Sequence, residues 1–152
     1  MHQVQVFQKI RHHGMTPKQL SKMEELSALV RETYRHIDRI MKRKQEETNI
    51  DVVTLIILLE MKQFVSSIVN MYFLVKDDPK RCKKFVSALV QTSTKKFEKI
   101  LATIEKNKKK IADMSEDDSE TYAEQLKAPL SEYLHSKRRK LDTIVDIVGM
   151  AL

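Results

Sequence analysis

The sequence predicts an all-α protein, an antiparallel four-helix bundle carrying a short N-terminal helical extension. Three observations lead there. Glycine and proline are scarce, 2 and 3 in 152 residues, whereas a sheet protein of this length needs many turn residues. Charged residues make up 32% of the chain and are interleaved with apolar ones, as in long helices with one wet face. Apolar residues also recur at spacings of three and four over long stretches. The length suits one domain with a sizeable core, so the expected division is an extension over residues 1–13 and a single helical domain over 14–152.

The extension, Gln3 to His13, is short and ends at Gly14. Thr16-Pro17-Lys18-Gln19 is a helix start: a threonine cap, proline at the first helical position and glutamine three residues after the cap. Leu20, Met23, Leu26 or Ser27, Val30, Tyr34, Ile37 and Met41 then define one apolar face, and the charged run Lys42 to Glu47 closes the helix. Asn49 caps a second helix, with Asp51 in its first turn facing the positive end of the dipole. From Val52 to Val75 this helix is apolar on nearly all sides, which predicts that other helices or a second copy surround it. Glu60, Lys62 and Gln63 interrupt it. Its longest unbroken apolar runs, Leu55–Leu59 and Met71–Val75, fall short of the roughly 20 residues of a membrane span.

Asp77-Asp78-Pro79 opens a third helix by the same cap-and-proline logic. Phe85, Leu89, Phe97, Ile100, Leu101 and Ile104 mark its face, with an irregular step from Leu89 to Phe97, and the run Lys106 to Lys110 ends it. Ser115 caps a fourth helix whose first turn holds Glu116, Asp117 and Asp118. Its face reads Tyr122, Leu126, Leu130, Tyr133 or Leu134, Leu141, Ile144 or Val145, and Val148. Pro129 lies inside it and predicts a kink, because the ring removes one backbone bond and crowds the carbonyl of Gln125.

Chemistry is harder to find. Neither Gly14 nor Gly149 belongs to a phosphate-cradling loop. A single cysteine, Cys82, rules out an intramolecular disulfide and paired-cysteine zinc sites, and fits a reducing, cytoplasmic setting. Lys80, Arg81, Lys83 and Lys84 beside that thiol would lower its pKa. Glu132 and His135 have the Glu-x-x-His spacing of di-metal helical bundles, but that chemistry needs a second copy and two further glutamates. Glu60 is the one inward carboxylate in the apolar helix. Both Glu132 and His135 are therefore read as surface residues. The pairs Glu46/Glu47, Asp77/Asp78 and Asp117/Asp118 read as caps and loop residues. No catalytic residue, metal site or cofactor is assigned.

Charge is the informative property. The net value is +7, and residues 76–110 hold 12 Lys or Arg against 4 Asp or Glu, while the rest of the chain is nearly neutral. The candidate partner- or anion-binding residues are Lys80, Arg81, Lys83, Lys84, Lys95, Lys96 and Lys99 on the third helix. Lys137, Arg138, Arg139 and Lys140 on the fourth join them. Lysine outnumbers arginine in the third helix, which suits phosphate or anionic-surface contact more than base reading.

Three stretches are similar to the bacterial family named for hydrolysis of 5-bromo-4-chloroindolyl phosphate, the XpaC-like proteins. The first is Gly14-Met15-Thr16-Pro17-Lys18-Gln19-Leu20 ahead of a long charged helix. The second runs from Val75-Lys76-Asp77-Asp78-Pro79-Lys80-Arg81 through Phe85, Thr92 and Thr94 to Phe97, and the third is Leu141 to Val148. Ala88 and Leu89 stand where that family tends to have an aromatic pair, and the N-terminal membrane segments of some members are missing. The resemblance implies a partner-binding role linked to stress or toxic-anion resistance.

The expected function is that of a non-enzymatic helical interaction or adaptor protein acting by protein–protein contact. Self-association through the apolar helix over residues 50–76 is one form such contact would take. The alternative is binding of nucleic acid or an anionic membrane surface through the basic third helix, with affinity falling steeply with salt.

Overall fold

Every regular element among the described residues is a helix, and the all-α class follows. The computed structural model describes residues 2–11, 14–43 and 49–150, with the backbone alone at 2, 4 and 147–150. Residues 44–48 fall outside the described residues, and with them most of the Lys42–Glu47 run and the Glu46/Glu47 pair. His12, His13 and the side chain of Val148 also lie outside. The elements are α1 (His2–Ile10), α2 (Pro17–Lys42), α3 (Asn49–Val75), α4 (Pro79–Leu89), α5 (Lys95–Lys106), α6 (Lys108–Ala112) and α7 (Glu116–Met150).

The helix starts obey local chemistry. Thr16 and Gln19 form a reciprocal capping box: the Gln19 amide donates to Thr16 Oγ1 at 3.2 Å and the Thr16 amide to Gln19 Oε1 at 3.1 Å, satisfying two otherwise orphaned donors. Asp78 caps α4 by accepting from the Arg81 amide at 3.2 Å, with Pro79 following. Ser115 caps α7 by accepting from the Asp118 amide at 3.1 Å. Between α1 and α2, Gly14 turns the chain at φ 64°, a left-handed conformation that glycine adopts without steric cost.

The expected third helix is instead three helices. Its first break lies at residues 90–94, where Thr92, Ser93 and Thr94 carry hydroxyls that compete for backbone hydrogen bonds. Ser93 Oγ accepts from the Lys95 amide at 3.3 Å, and the Ser93 amide donates to Tyr133 Oη at 2.6 Å. A second break falls at Asn107, whose side-chain amide donates to the Thr103 carbonyl at 3.1 Å and to Tyr122 Oη at 3.2 Å. Asn49 also departs from the simple cap role, since its side-chain amide donates to the Met114 carbonyl. Pro129 does not end α7, which is helical throughout Glu116–Met150, and the proline is exposed.

The chain divides into two compact units. Unit one draws on residues 1–31, 63–92 and 134–152, and unit two on 32–62 and 93–133. In unit one α1 buries Val6, Phe7 and Ile10, α2 buries Met23, Leu26 and Val30, and α4 buries Cys82, Phe85, Val86 and Leu89. The unit-one part of α3 adds Phe64, Val65, Ile68 and Val75, and α7 adds Leu134, Leu141 and Val145. Arg11, just after α1, pairs with Glu24 on α2 at 3.2 Å. Unit two buries Ile37 from α2, Val53, Ile57, Leu58 and Met61 from α3, Phe97, Ile100 and Ile104 from α5, Ile111 from α6, and Ala123 and Leu130 from α7.

The apolar helix α3 is only partly enclosed. It is long and apolar enough, by length and composition, to cross a membrane, yet 44% of its most apolar 18-residue window is buried within the protein. Leu59, Phe73 and Leu74 are exposed.

Candidate functional site

The basic residues singled out in the sequence separate between the two units. Lys80, Arg81, Lys83 and Lys84 on α4 share unit one with Lys137, Arg138, Arg139 and Lys140 on α7, whereas Lys95, Lys96 and Lys99 on α5 belong to unit two. The Lys96 ammonium lies 5.8 Å from the centre of the Tyr133 ring, a cation–π contact that holds this lysine against α7 within unit two.

Unit one brings α4 and the late part of α7 to one cleft. A cavity of about 190 Å³ is lined by Asp78, Lys80, Arg81, Lys84 and Ile144. Helix geometry explains the lining on both sides. Lys80, Arg81 and Lys84 fall at i, i+1 and i+4, on the flank of α4 beside its buried face. Lys140 and Lys137 lie one and two turns before Ile144, so they occupy the Ile144 side of α7. Asp78 is the one carboxylate in the lining, and it pairs with Arg81 at 3.3 Å while capping α4. Lys80, Lys83 and Lys84 are exposed, which leaves the cleft electropositive.

Lys137 on α7 is perturbed by its own surroundings. Burial first, and then the neighbouring Lys140 ammonium, hold its pKa below the ordinary lysine value. A lowered folded value means that the unfolded chain binds this proton more tightly. Charged Lys137 therefore costs stability at neutral pH, and the cost lifts as pH rises from its folded pKa to the unfolded one. Lys137→Met is expected to be more stable than the parent at pH 7, with the gap closing as pH climbs into the lysine range. Chemical denaturation at stepped pH measures it; a gap that widens with pH contradicts this reading.

The other side of α7 forms a second concavity. A groove of about 410 Å³ is lined by Ser67, Asn70, Met71 and Leu74 from α3 and by His135, Arg138, Arg139 and Asp142 from α7. Leu74 is 70% exposed. Arg138 is half-buried, and its Nε is enclosed with no hydrogen-bond partner among the described residues.

The residues weighed for catalysis do not assemble. Cys82 is fully buried, and burial together with the Asp78 carboxylate raises its thiol pKa. The lysine-rich setting therefore does not activate it, because those ammonium groups point to solvent while the sulfur lies in the core. Glu132 and His135 are both exposed, and Leu134 takes the core position on that turn. Glu60 is half-buried. No group of three or more His, Cys, Asp or Glu among the described residues is placed to hold a metal ion. For Cys82 the expected outcome is negligible reaction with a disulfide reagent in native buffer and full reaction in denaturant. A fast native reaction would show that α4 opens readily.

Sequence reasoning missed the α3–α7 groove because Leu74 reads as one more apolar position in an apolar helix. The only signal was its place, two residues before the charged turn Lys76-Asp77-Asp78. Compared with known proteins, the chain matches no family model, no curated protein and no solved structure.

Proposed function

We propose that the protein is a non-enzymatic helical interaction module that works by protein–protein contact in the cytoplasm, through the basic face of unit one. The observation that carries this reading is the cleft where Lys80, Arg81 and Lys84 of α4 meet the side of α7 that bears Lys137 and Lys140. Three cations of α4 around one carboxylate, already engaged by Arg81, favour an acidic partner. The exposed Leu74 offers apolar area on the other side of α7, and apolar contact is not screened by salt. An antiparallel four-helix arrangement of the longer elements, self-association through residues 50–76, and the stress-related role implied by the XpaC-like resemblance belong to the same proposal.

The test is affinity capture from native lysate at low and high salt, with and without nuclease, beside a Lys80→Glu/Lys84→Glu variant. The expected result is one protein retained in high salt and after nuclease, and lost from the variant. Material lost with nuclease or with salt would instead support the second reading, binding of nucleic acid or an anionic surface. The exposed, lysine-dominated surface of α4 favours that reading, since lysine acts on phosphates as a point charge.

A further inference from the structure

The groove between α3 and α7 has two walls of different chemistry. Leu74, with the edge of the buried Met71, supplies apolar surface on one side, and Arg138 and Arg139 supply positive charge on the other, beside Asp142. Leu74, at 70% exposed, is the most exposed large apolar side chain among the described residues. On α3 the lining residues fall at i, i+3, i+4 and i+7 from Ser67, and on α7 they keep the same spacing from His135, so each wall is one face of a helix. Two helical faces with a channel between them fit a third helix laid along it, apolar side down.

The occupant's charge follows from the arginines. The Nε of Arg138 is withdrawn from solvent and has no hydrogen-bond partner among the described residues. That donor lies out of a partner's reach, so the docking charge is the exposed guanidinium of Arg139 with the accessible part of Arg138, and a carboxylate engages a guanidinium through two N–H groups at once. We infer that this groove docks an acidic amphipathic helix of a partner protein, its apolar residues over Met71 and Leu74 and its carboxylates on Arg138 and Arg139. The inference rests on the protein–protein reading above and names the partner's chemistry. A nucleic-acid backbone has no use for the Leu74 wall, and Asp142, one turn beyond Arg138 on the same wall, confines the partner's carboxylates to the Arg138 and Arg139 end.

The probe is a fluorescein-labelled helical peptide with leucine at i, i+4 and i+7 and glutamate on the flanks of that stripe, titrated with the full chain by anisotropy. Saturable binding is expected. Leu74→Glu and the pair Arg138→Gln/Arg139→Gln should each weaken it at least about tenfold, as loss of an anchor does. Leu74→Ala should weaken it several-fold, and the exposed Lys83→Gln should change it less than about twofold. Each variant's melting curve, matched to the parent's, shows that its fold is kept. No saturable binding would overturn the inference. So would equal binding of a peptide of the same composition with its leucines scattered, or competition by phosphatidylserine vesicles that depends on Leu74. A lysate partner kept by Leu74→Glu but lost from Lys80→Glu/Lys84→Glu would overturn the groove and leave the proposed function standing.

Discussion

Replacing Phe85 with alanine is expected to lower the free energy of unfolding by about 3–5 kcal/mol. Phe85 is 0% exposed and sits in the buried stripe of α4 with Cys82, Val86 and Leu89. α4 has only 11 residues, too few to be stable as an isolated helix, so its structure depends on this apolar stripe. Removing the ring forfeits its transfer free energy and leaves a cavity that neighbours fill only in part. Equilibrium unfolding in urea measures the loss, with Lys83→Ala as the surface control expected within about 0.5 kcal/mol of the parent. A Phe85→Ala cost below about 1 kcal/mol would mean that α4 is not held by this face. The α4 residues that line the basic cleft would then lack a fixed support.

The second large effect has the opposite sign. Pro129→Ala is expected to stabilise the protein by about 1–2 kcal/mol. Proline inside a helix is roughly 3 kcal/mol worse than alanine, and part of that is offset because proline also restricts the unfolded chain. Pro129 and Gln125 are both exposed, so the new side chain meets no core, and the restored amide regains the Gln125 carbonyl as acceptor. Thermal unfolding should rise by about 2–4 °C per kcal/mol for a chain of this size. No change would mean that α7 is bent at this turn in a way that alanine cannot relax.

The parts of the fold legible in the sequence are those governed by a few neighbouring residues. Thr16 with Gln19, Asp78 with Pro79, and Ser115 ahead of its acidic turn all act within one helical turn, and all three caps are made as expected. The break between α4 and α5 was written in the Thr92-Ser93-Thr94 run and in the irregular step from Leu89 to Phe97. What completes it is the hydroxyl of Tyr133, 40 residues away, a partner that no local pattern supplies. Asn49 shows the same limit, since its side chain serves Met114 across 65 residues.

Of the candidate site, the identity of the basic residues was legible and their grouping was not. Lys80, Arg81, Lys83 and Lys84 share unit one with the α7 cluster, while Lys95, Lys96 and Lys99 go to unit two. The cause is the break at 90–94, which a reading of one continuous third helix hides. Cys82 reverses its expected character for a related reason. Sequence neighbours set the charge around a thiol only when its side chain shares their face, and Cys82 faces the core.

The way the two units are threaded through the chain has a consequence for synthesis. Unit two takes residues 32–62 and 93–133, whereas unit one needs residues 134–152 as well as the first 31. During translation, therefore, every segment of unit two exists before the last segment of unit one has been made. Leu134, Leu141 and Val145, all buried in the finished protein, arrive last. Until they emerge from the ribosome, unit one lacks part of its buried apolar core, and incompletely covered apolar surface invites aggregation. A ribosome stalled on this message beyond residue 133 would thus carry one unit with all its segments made and one still lacking its last.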